Sequence, residues 1–335
     1  MAGTLEGKVD RARAEKGDIR MYTLEIEHVT KRYGHEVVVD DLCFSVQPGR
    51  VTGFLGPNGA GKSTTMKILL DLASADAGRA TIGGTRYREL HEPARTLGVV
   101  LEPNAFHPGR SGRNHLRILG DCIGIAPPRV AESLDMVGLA DAADRHVGAY
   151  SLGMRQRLGI AAALLGDPPV LVLDEPGNGL DPQGIRWLRD LLRARAAAGG
   201  TVFVSSHLLS EVEHLADEVV VINHGRLVAT GALSTLRKAG VSVHTPAPVP
   251  LTRILVDAGA TVRAASEGRL VVRGLPITEI GDRACAAGIA LHELAPEAGS
   301  LEELFLDWTE DDKPGDAPAN VQDLPKESPR EVVPL

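Results

Sequence analysis

Short apolar runs alternate along this chain with stretches whose apolar residues recur at helical spacing. Four continuous apolar runs have the length of buried strands, at 51–55, 97–101, 170–173 and 201–205. Stretches with one apolar face follow two of these runs, at 65–70 and 183–197. Because strands that alternate with helices are typical of an α/β fold, the pattern predicts a mainly parallel, doubly wound sheet.

Residues before and within this alternation show different patterns. Residues 24–29 alternate apolar and polar positions, which indicates a half-buried strand at the start of ordered structure. Residues 1–22 mix Lys and Arg with Asp and Glu and lack an apolar stretch, so we predict a disordered N-terminal extension. Helical patterns between 112 and 150 are broken by Pro127 and Pro128, which predicts a small, mostly helical insertion.

A proline-rich stretch separates the C-terminal part of the chain from the rest. Residues 246–250, Pro-Ala-Pro-Val-Pro, are predicted to form a linker or domain boundary. Beyond them, 251–308 has the pattern helix, strand, strand, helix, strand, helix, which predicts a small α+β accessory domain assigned to 241–308. Residues 309–335 are rich in proline and acidic residues, so we expect a disordered tail.

A glycine-rich loop joins the predicted strand 51–55 to the helix that follows it. The loop consists of Gly56, Pro57, Asn58, Gly59, Ala60, Gly61, Lys62, Ser63 and Thr64. In this strand–loop–helix context, glycines allow backbone N–H groups to surround a phosphate at the helix N-terminus. Lys62 would then reach the β- and γ-phosphates of a nucleotide, and the Ser63 hydroxyl would hold Mg²⁺. A chance glycine-rich turn is the alternative.

Polar residues follow the other predicted strands at their C-terminal ends, where open α/β sheets bind ligands. Asp174 and Glu175 end one apolar run, and Glu102 and His207 follow two others. Near a phosphate loop, Asp174 can hold Mg²⁺ through water, and Glu175 is placed to polarise an attacking water. The alternatives are a solvated acidic turn for the two carboxylates and a helix cap for His207.

Composition and charge exclude several classes of function. The formal net charge of −8 argues against non-specific binding to nucleic acid or anionic lipid. No apolar run approaches the roughly 18 residues that cross a bilayer, so another chain would have to supply any membrane-spanning part. The three cysteines are far apart and lack metal-ligand spacing, so we expect buried thiols in a reducing cytosol, at Cys43, Cys122 and Cys285.

Five motifs occur in the order found in ATP-binding cassette (ABC) proteins, at 56–64, 151–157, 170–176, 178–182 and 206–207. A phosphate loop alone also fits a nucleotide kinase or a GTPase, whereas the Ser-Leu-Gly-Met-Arg-Gln-Arg helix start, with Ser151 predicted as its N-cap, does not. The chain therefore resembles an ABC transporter ATPase subunit over about residues 23–235. The resemblance implies a P-loop NTPase domain at 23–240 with an antiparallel β subdomain and a helical subdomain at about 104–165.

The resemblance also implies roles for individual residues. Tyr33 is similar to the aromatic residue that stacks on adenine, and His207 to the family's switch histidine. Asp181 lies in the loop that communicates across the dimer. Glu102 stands where the family has glutamine, a Mg²⁺ ligand and sensor of the membrane partner. The signature segment, usually Leu-Ser-Gly-Gly-Gln, binds the γ-phosphate of ATP on the opposite subunit and corresponds here to Ser151, Leu152, Gly153, Met154 and Arg155.

The chain most resembles the bacitracin- and daunorubicin-resistance exporter branch, through Glu102-Pro103, the signature segment and residues 298–305. This implies an ATPase subunit that uses ATP and Mg²⁺, with Glu175, His207 and Lys62 as catalytic residues. Two copies would pair head to tail beneath a separate permease, at the cytoplasmic face of the cell membrane, and export a drug, antibiotic or peptide.

Two other functions remain open from the sequence. One is a soluble cassette ATPase that acts on ribosomes or DNA, although the chain has one cassette, lacks a long coiled coil and is acidic. The other is a module that holds ATP without turnover. The presence of both Glu175 and His207 argues against that module.

Overall fold

The computed structural model describes residues 21–101, 106–207, 209–236, 240–266 and 268–297 of the 335-residue chain. Two compact units are present, and the border between them lies between Gly231 and Ala232. Across these described ranges, no helix has the length and apolar character that a membrane span needs. Each unit has its own sheets and its own core.

Thirteen strands are present in the described ranges. They are β1 Leu24–Tyr33, β2 Glu36–Val46, β3 Val51–Leu55, β4 Ala77–Ile82, β5 Leu97–Val100, β6 Val170–Asp174, β7 Thr201–Ser206, β8 Glu218–Asn223, β9 Arg226–Ala232, β10 Gly240–His244, β11 Thr261–Ser266, β12 Arg269–Arg273 and β13 Glu293–Glu297.

The same ranges contain ten α-helices and three short 3₁₀ turns. The helices are α1 Lys62–Leu69, α2 Pro93–Thr96, α3 Gly112–Cys122, α4 Pro128–Met136, α5 Leu152–Leu164, α6 Pro182–Ala197, α7 Leu209–Leu215, α8 Leu233–Leu236, α9 Pro248–Asp257 and α10 Ile277–Ala286. The 3₁₀ turns are Tyr87–Glu89, Ala140–Ala142 and Val147–Ala149.

The main sheet of the first unit has six strands in the order β5-β6-β7-β3-β8-β9. Strands β5, β6, β7, β3 and β8 pair in parallel, which confirms the predicted mainly parallel sheet. Every residue of β3, β6 and β7 is buried. Burial on both faces explains why these strands are continuous apolar runs rather than alternating ones. The parallel pairing brings the C-terminal ends of β3, β6 and β7 to one edge.

A second, three-stranded sheet of order β2-β1-β4 is antiparallel and packs against the main sheet. Phe44 on β2 meets Phe54 on β3 and Phe203 on β7, with ring centroids 5.0–5.8 Å apart. These three rings are therefore part of the apolar core that the two sheets share. Phe54 and Phe203 are fully buried, and Phe44 is nearly so.

Residues 112–164, between β5 and β6, are mostly helical, and they pack as one cluster. Leu116 on α3, Leu134 on α4 and Leu158 on α5 are fully buried in the same apolar core. The hydroxyl of Tyr150 donates a 2.6 Å hydrogen bond to the carbonyl of Ala142, which fixes the last turn before α5. This cluster lies where the sequence predicts a helical insertion.

The second unit is a four-stranded antiparallel sheet of order β11-β12-β10-β13 with two helices on one face. The element order β-α-β-β-α-β with this strand order is the ferredoxin-like arrangement. Its core contains Val243, Leu251, Leu255 and Ile280, all fully buried. The last helix predicted for 251–308 and the tail 309–335 lie outside the described residues.

The predicted boundary at 246–250 is wrong, because this stretch lies inside the second unit. Strand β10 precedes it and pairs with β12 and β13 of the same sheet. Pro248 occupies the first turn of α9. N–H groups in a first turn have no acceptor within the helix, so the missing N–H of proline costs nothing there. The prolines therefore begin a helix rather than separate two domains.

The prediction of buried thiols is also wrong, since Cys43, Cys122 and Cys285 are all exposed. Cys43 lies on β2 between buried Leu42 and Phe44, so strand alternation points its side chain outward. Cys122 is the last residue of α3, and Cys285 is an outward-facing position of α10. Each thiol occupies the polar face of an amphipathic element.

Candidate functional site

The glycine-rich loop connects β3 to α1 and closes around the ammonium group of Lys62. Lys62 Nζ donates to the carbonyls of Gly56 at 2.6 Å and Pro57 at 3.2 Å. The tip of the loop, residues 57–59, is exposed, whereas Lys62 is only 6% exposed. The loop therefore forms a shallow cup with a cation beneath it.

Gly61 makes the sharp turn into α1 possible. Its φ of 101° is in the left-handed region, and a Cβ there would lie 2.6 Å from the carbonyl oxygen of Val38. Helix α1 begins at Lys62 without a side-chain cap. Its first N–H groups lack helical acceptors, as in any helix, so this end is suited to an anion.

Burial lowers the pKa of Lys62, and the nearby carboxylates of Glu175 and Asp174 oppose that shift. A buried ammonium group is stable only when charge or dipoles compensate it. Here the two loop carbonyls and the two carboxylates do so. The lysine and the acidic pair therefore belong to one electrostatic site.

The edge residues of β6 and β7 are linked to the loop through hydroxyl groups. Ser63 Oγ donates to Asp174 Oδ2 at 2.6 Å. Ser205 Oγ donates to Asp174 Oδ1 and accepts from the backbone N–H of Glu175 at 2.9 Å. Asp174 is 7% exposed, so its carboxylate lies at the sheet edge but is buried and satisfied by two hydroxyls.

Glu175 and His207 contact each other directly. His207 Nδ1 lies 2.7 Å from Glu175 Oε2. The backbone of Glu175 has a φ of 49°, which turns the chain sharply away from β6 and places its side chain beside β7. Helix α7 adds Glu211, whose pKa is raised by burial. Histidine and carboxylate therefore form a pair next to the Asp174 network.

The signature segment forms the first turn of α5. Ser151 caps this helix, since its hydroxyl accepts from the N–H of Met154 at 3.2 Å, as the sequence predicts. Leu152 is exposed, and Arg155 donates to the carbonyl of Tyr150 at 2.9 Å. Asp181 caps α6 by accepting from the N–H of Gly184 at 2.8 Å. Both segments present polar caps and exposed residues at the surface of the unit.

Of the two remaining predicted site residues, Tyr33 is described by the structure and Glu102 is not. Tyr33 ends β1 and is 52% exposed, with the Lys31 ammonium 5.3 Å from its ring centroid. An exposed ring at a strand end leaves a face for another ring to stack on. Glu102 lies outside the described residues.

Two residues of this region were missed by sequence reasoning. Ser205 looks like ordinary strand material, yet its buried hydroxyl holds both Asp174 and Glu175. Gln156 follows the signature segment, and its side-chain amide donates to the carbonyl of Pro176 at 3.0 Å. Both contacts join residues 20 or more positions apart, so no spacing rule reveals them. The sequence offers one signal for such residues, which is a polar residue within a strand or helix that is otherwise apolar.

The site suits a nucleoside triphosphate by its donor groups. The loop offers a cation and an uncapped helix N-terminus to phosphate. The Ser63 hydroxyl and the Asp174 carboxylate, 2.6 Å apart, are oxygen donors of the kind that Mg²⁺ takes. Within the described ranges, no cluster of three or more His, Cys, Asp or Glu residues is placed to hold a metal by itself.

Comparisons with known proteins agree with this geometry. A family model described as ABC transporter matches residues 39–178, and a domain of unknown function matches 239–302. The bacitracin transport ATP-binding protein BcrA of Enterococcus faecalis is 41% identical over 223 residues, which cover 66% of this chain and 72% of that protein. The Nod factor export ATP-binding protein I of Burkholderia orbicola (strain AU 1054) is 39% identical over 238 residues, 68% and 78% of the two chains.

A solved structure of the ATP-binding subunit of an ABC transporter has the same fold. It superposes with a TM-score of 0.59 at 30% identity and covers 64% of this chain and 91% of its own. The relatives and this structure match the part of the chain that carries the phosphate loop and the acidic edge. The chain belongs to the ABC transporter family, as an ATP-binding subunit with ATPase activity coupled to transport.

Proposed function

We propose that this chain hydrolyses ATP in an exporter, with Glu175 as the base that activates the attacking water. One observation carries the proposal: an unbroken set of contacts runs from the phosphate loop through Ser63, Asp174 and Ser205 to Glu175 and on to His207. These contacts fix the acid relative to the place where a γ-phosphate would lie. Positioning and charge stabilisation are the main requirements of phosphoryl transfer.

The loop residues bind the triphosphate. The N–H groups at the start of α1 and the Lys62 ammonium face the β- and γ-phosphates, and the exposed Tyr33 ring stacks on adenine. Ser63 and Asp174, the latter through water, would hold Mg²⁺, and Glu102 would be a further ligand on the sequence argument. The metal would supply positive charge to the phosphate oxygens.

Glu175 and His207 act on the water. Glu175 accepts one proton as the water oxygen bonds to the γ-phosphorus, and the bond from that phosphorus to the ADP oxygen breaks. His207 is 2.7 Å from Glu175 Oε2 and keeps this carboxylate oriented toward the water rather than toward solvent. The Ser205 hydroxyl fixes the backbone that carries Glu175.

A complete site needs two copies of the chain, paired head to tail. Ser151 to Arg155 of one copy bind the γ-phosphate of ATP held by the other, and Asp181 communicates across this interface. The exposure of Leu152 and of the phosphate loop tip supports this arrangement, because both are then available to a partner. Binding of ATP closes the pair and hydrolysis opens it.

The closure drives a separate permease that exports its substrate. The relative named for Nod factor export supports export, and the relative named for bacitracin transport supports an antibiotic, drug or peptide as the cargo. The chain then lies at the cytoplasmic face of the cell membrane, held there by the permease. Nucleic acid is not a partner, in keeping with the net charge of −8.

Two substitutions test the ATPase mechanism. Glu175→Gln keeps the shape of the side chain but cannot accept a proton, so steady hydrolysis should be lost while ATP binding is kept and dimers accumulate. Lys62→Ala removes the buried cation, so ATP affinity should fall. Glu132→Gln, an exposed carboxylate on α4, is the matched control and should hydrolyse at the parental rate. Parental turnover in Glu175→Gln would exclude Glu175 as the base.

A further inference from the structure

The helix that carries the signature segment is tied to the loop that follows Glu175 in the same chain. Gln156, on the first turns of α5, is 0% exposed, and its Nε2 donates to the carbonyl of Pro176 at 3.0 Å. Pro176 is buried as well and directly follows Glu175. One buried amide therefore joins the start of α5 to the residue after the catalytic acid.

Two further contacts bring the same segments together. A Cβ on Gly153 would lie 2.7 Å from the carbonyl oxygen of Gly179. The two backbones are therefore so close that only glycine fits at position 153. The Leu152 side chain covers Gly179, because a Cβ there would lie 2.5 Å from Leu152 Cγ and Cδ2. Helix α5 and the loop 176–180 are thus in close contact, so a shift of α5 acts directly on the loop.

We propose that Gln156 is a positioning residue that couples the two ATP sites of the dimer. The inference rests on the proposed function, in which Ser151 to Arg155 bind ATP held by the opposite copy while Glu175 serves ATP held by its own copy. A pull on the signature segment by the opposite ATP moves α5. Gln156 then carries that movement to the loop behind Glu175.

Because the Gln156 amide is buried, separating α5 from Pro176 costs free energy. If α5 moves away from Pro176, the Gln156 N–H loses its acceptor in a region without water, and the cost of an unmade buried hydrogen bond is high. Within the described residues, the Oε1 of Gln156 has no partner, so Pro176 is what orients this side chain. By linkage, each ATP then affects the other site to the same extent.

The test compares Gln156→Met with the parent in the full-length chain. Methionine keeps the length and burial of the side chain but has no N–H to donate. We expect the Hill coefficient of ATPase activity against ATP concentration to fall to 1. We also expect kcat at saturating ATP to fall about fivefold or more, the lower end of ordinary allosteric coupling. Nucleotide affinity of the unpaired chain, measured with a fluorescent ATP analogue, should stay at the parental value.

Two controls separate coupling from stability. Tyr150→Phe removes a buried hydrogen bond that stays within the helical segment, from the Tyr150 hydroxyl to Ala142. This variant should lose stability yet keep the parental Hill coefficient. Gln156→Glu places a second acceptor against the Pro176 carbonyl and should lower kcat further than Gln156→Met.

The outcomes distinguish this inference from the proposed function. If Gln156→Met keeps both kcat and the Hill coefficient while Glu175→Gln is inactive, the coupling is refuted and the ATPase mechanism stands. If Gln156→Met and Tyr150→Phe lower kcat equally at an unchanged Hill coefficient, the contact is only structural. A parental Hill coefficient of 1 refutes coupling in the same way. Full activity of Glu175→Gln instead removes the proposed function itself.

Discussion

Replacement of Ser205 by alanine tests whether one hydroxyl orders the catalytic edge. Ser205 is fully buried on β7, donates to Asp174 Oδ1 and accepts from the N–H of Glu175 at 2.9 Å. Ser205→Ala leaves both partners without this group in a place that water does not reach. A hydrogen bond to a charged group contributes about 1.5–3 kcal/mol, and a neutral one about 1 kcal/mol. We therefore expect the free energy of unfolding to fall by about 2.5–4 kcal/mol.

The same change should weaken the apparent affinity of the ATPase for Mg²⁺. Loss of the hydroxyl frees the Asp174 carboxylate to rotate away from Ser63, so its orientation toward the metal is no longer fixed. Loss of a partner that orients a metal ligand lowers metal affinity about 10–100-fold. The half-saturating Mg²⁺ concentration of the ATPase should rise within this range, while Lys62 and the loop are untouched.

Urea unfolding and Mg²⁺ titration of ATPase activity are the assays, with Thr52→Val as the matched control. Thr52 is buried on the neighbouring strand β3, and its hydroxyl has no partner among the described residues. Valine keeps its shape, so this variant should be neutral or more stable. A change below about 0.5 kcal/mol in Ser205→Ala, the range of ordinary surface substitutions, together with parental Mg²⁺ dependence, would refute the reasoning.

Three further predictions concern pH, a helix cap and the thiols. Burial raises the pKa of Glu211 above its ordinary 4.5, so the folded chain should lose stability as pH rises from 4.5 through the raised value. Glu211→Gln should remove this loss, as urea unfolding across that pH range will show. Asp181→Ala removes the cap on the N–H of Gly184 and should cost about 1 kcal/mol, whereas Asp181→Asn should cost less. A thiol reagent should modify three sites in the native chain without denaturant, at Cys43, Cys122 and Cys285.

Local features of the chain were predictable, because their causes lie within a few residues. The loop 56–64 was recognisable from glycine spacing, and the Ser151 cap from a hydroxyl residue at the start of an apolar helical pattern. The apolar runs located β3, β6 and β7, since strands buried on both faces show no alternation. The roles assigned to Tyr33, Asp181 and the signature segment remain predictions.

Two local rules give the wrong answer in this chain because tertiary packing overrides them. The proline cluster 246–250 fits a linker and the first turn of a helix equally well. Because β10 pairs with β12 and β13, the cluster lies inside the second unit and begins a helix there. Cysteine is often buried, but the neighbouring positions decide which way it points. Buried Leu42 and Phe44 place Cys43 on the outer face of β2.

The sequence alone determined the class of fold, the phosphate loop and the order of the motifs, because each depends on residue type at short spacing. Only the tertiary structure decided which of these residues meet. Parallel pairing of β6 and β7 brings Ser205 beside Asp174, and packing of α5 against the loop 176–180 brings Gln156 to Pro176. Such contacts depend on the path of the whole chain, since their hydrogen bonds form only after distant elements have packed and excluded water.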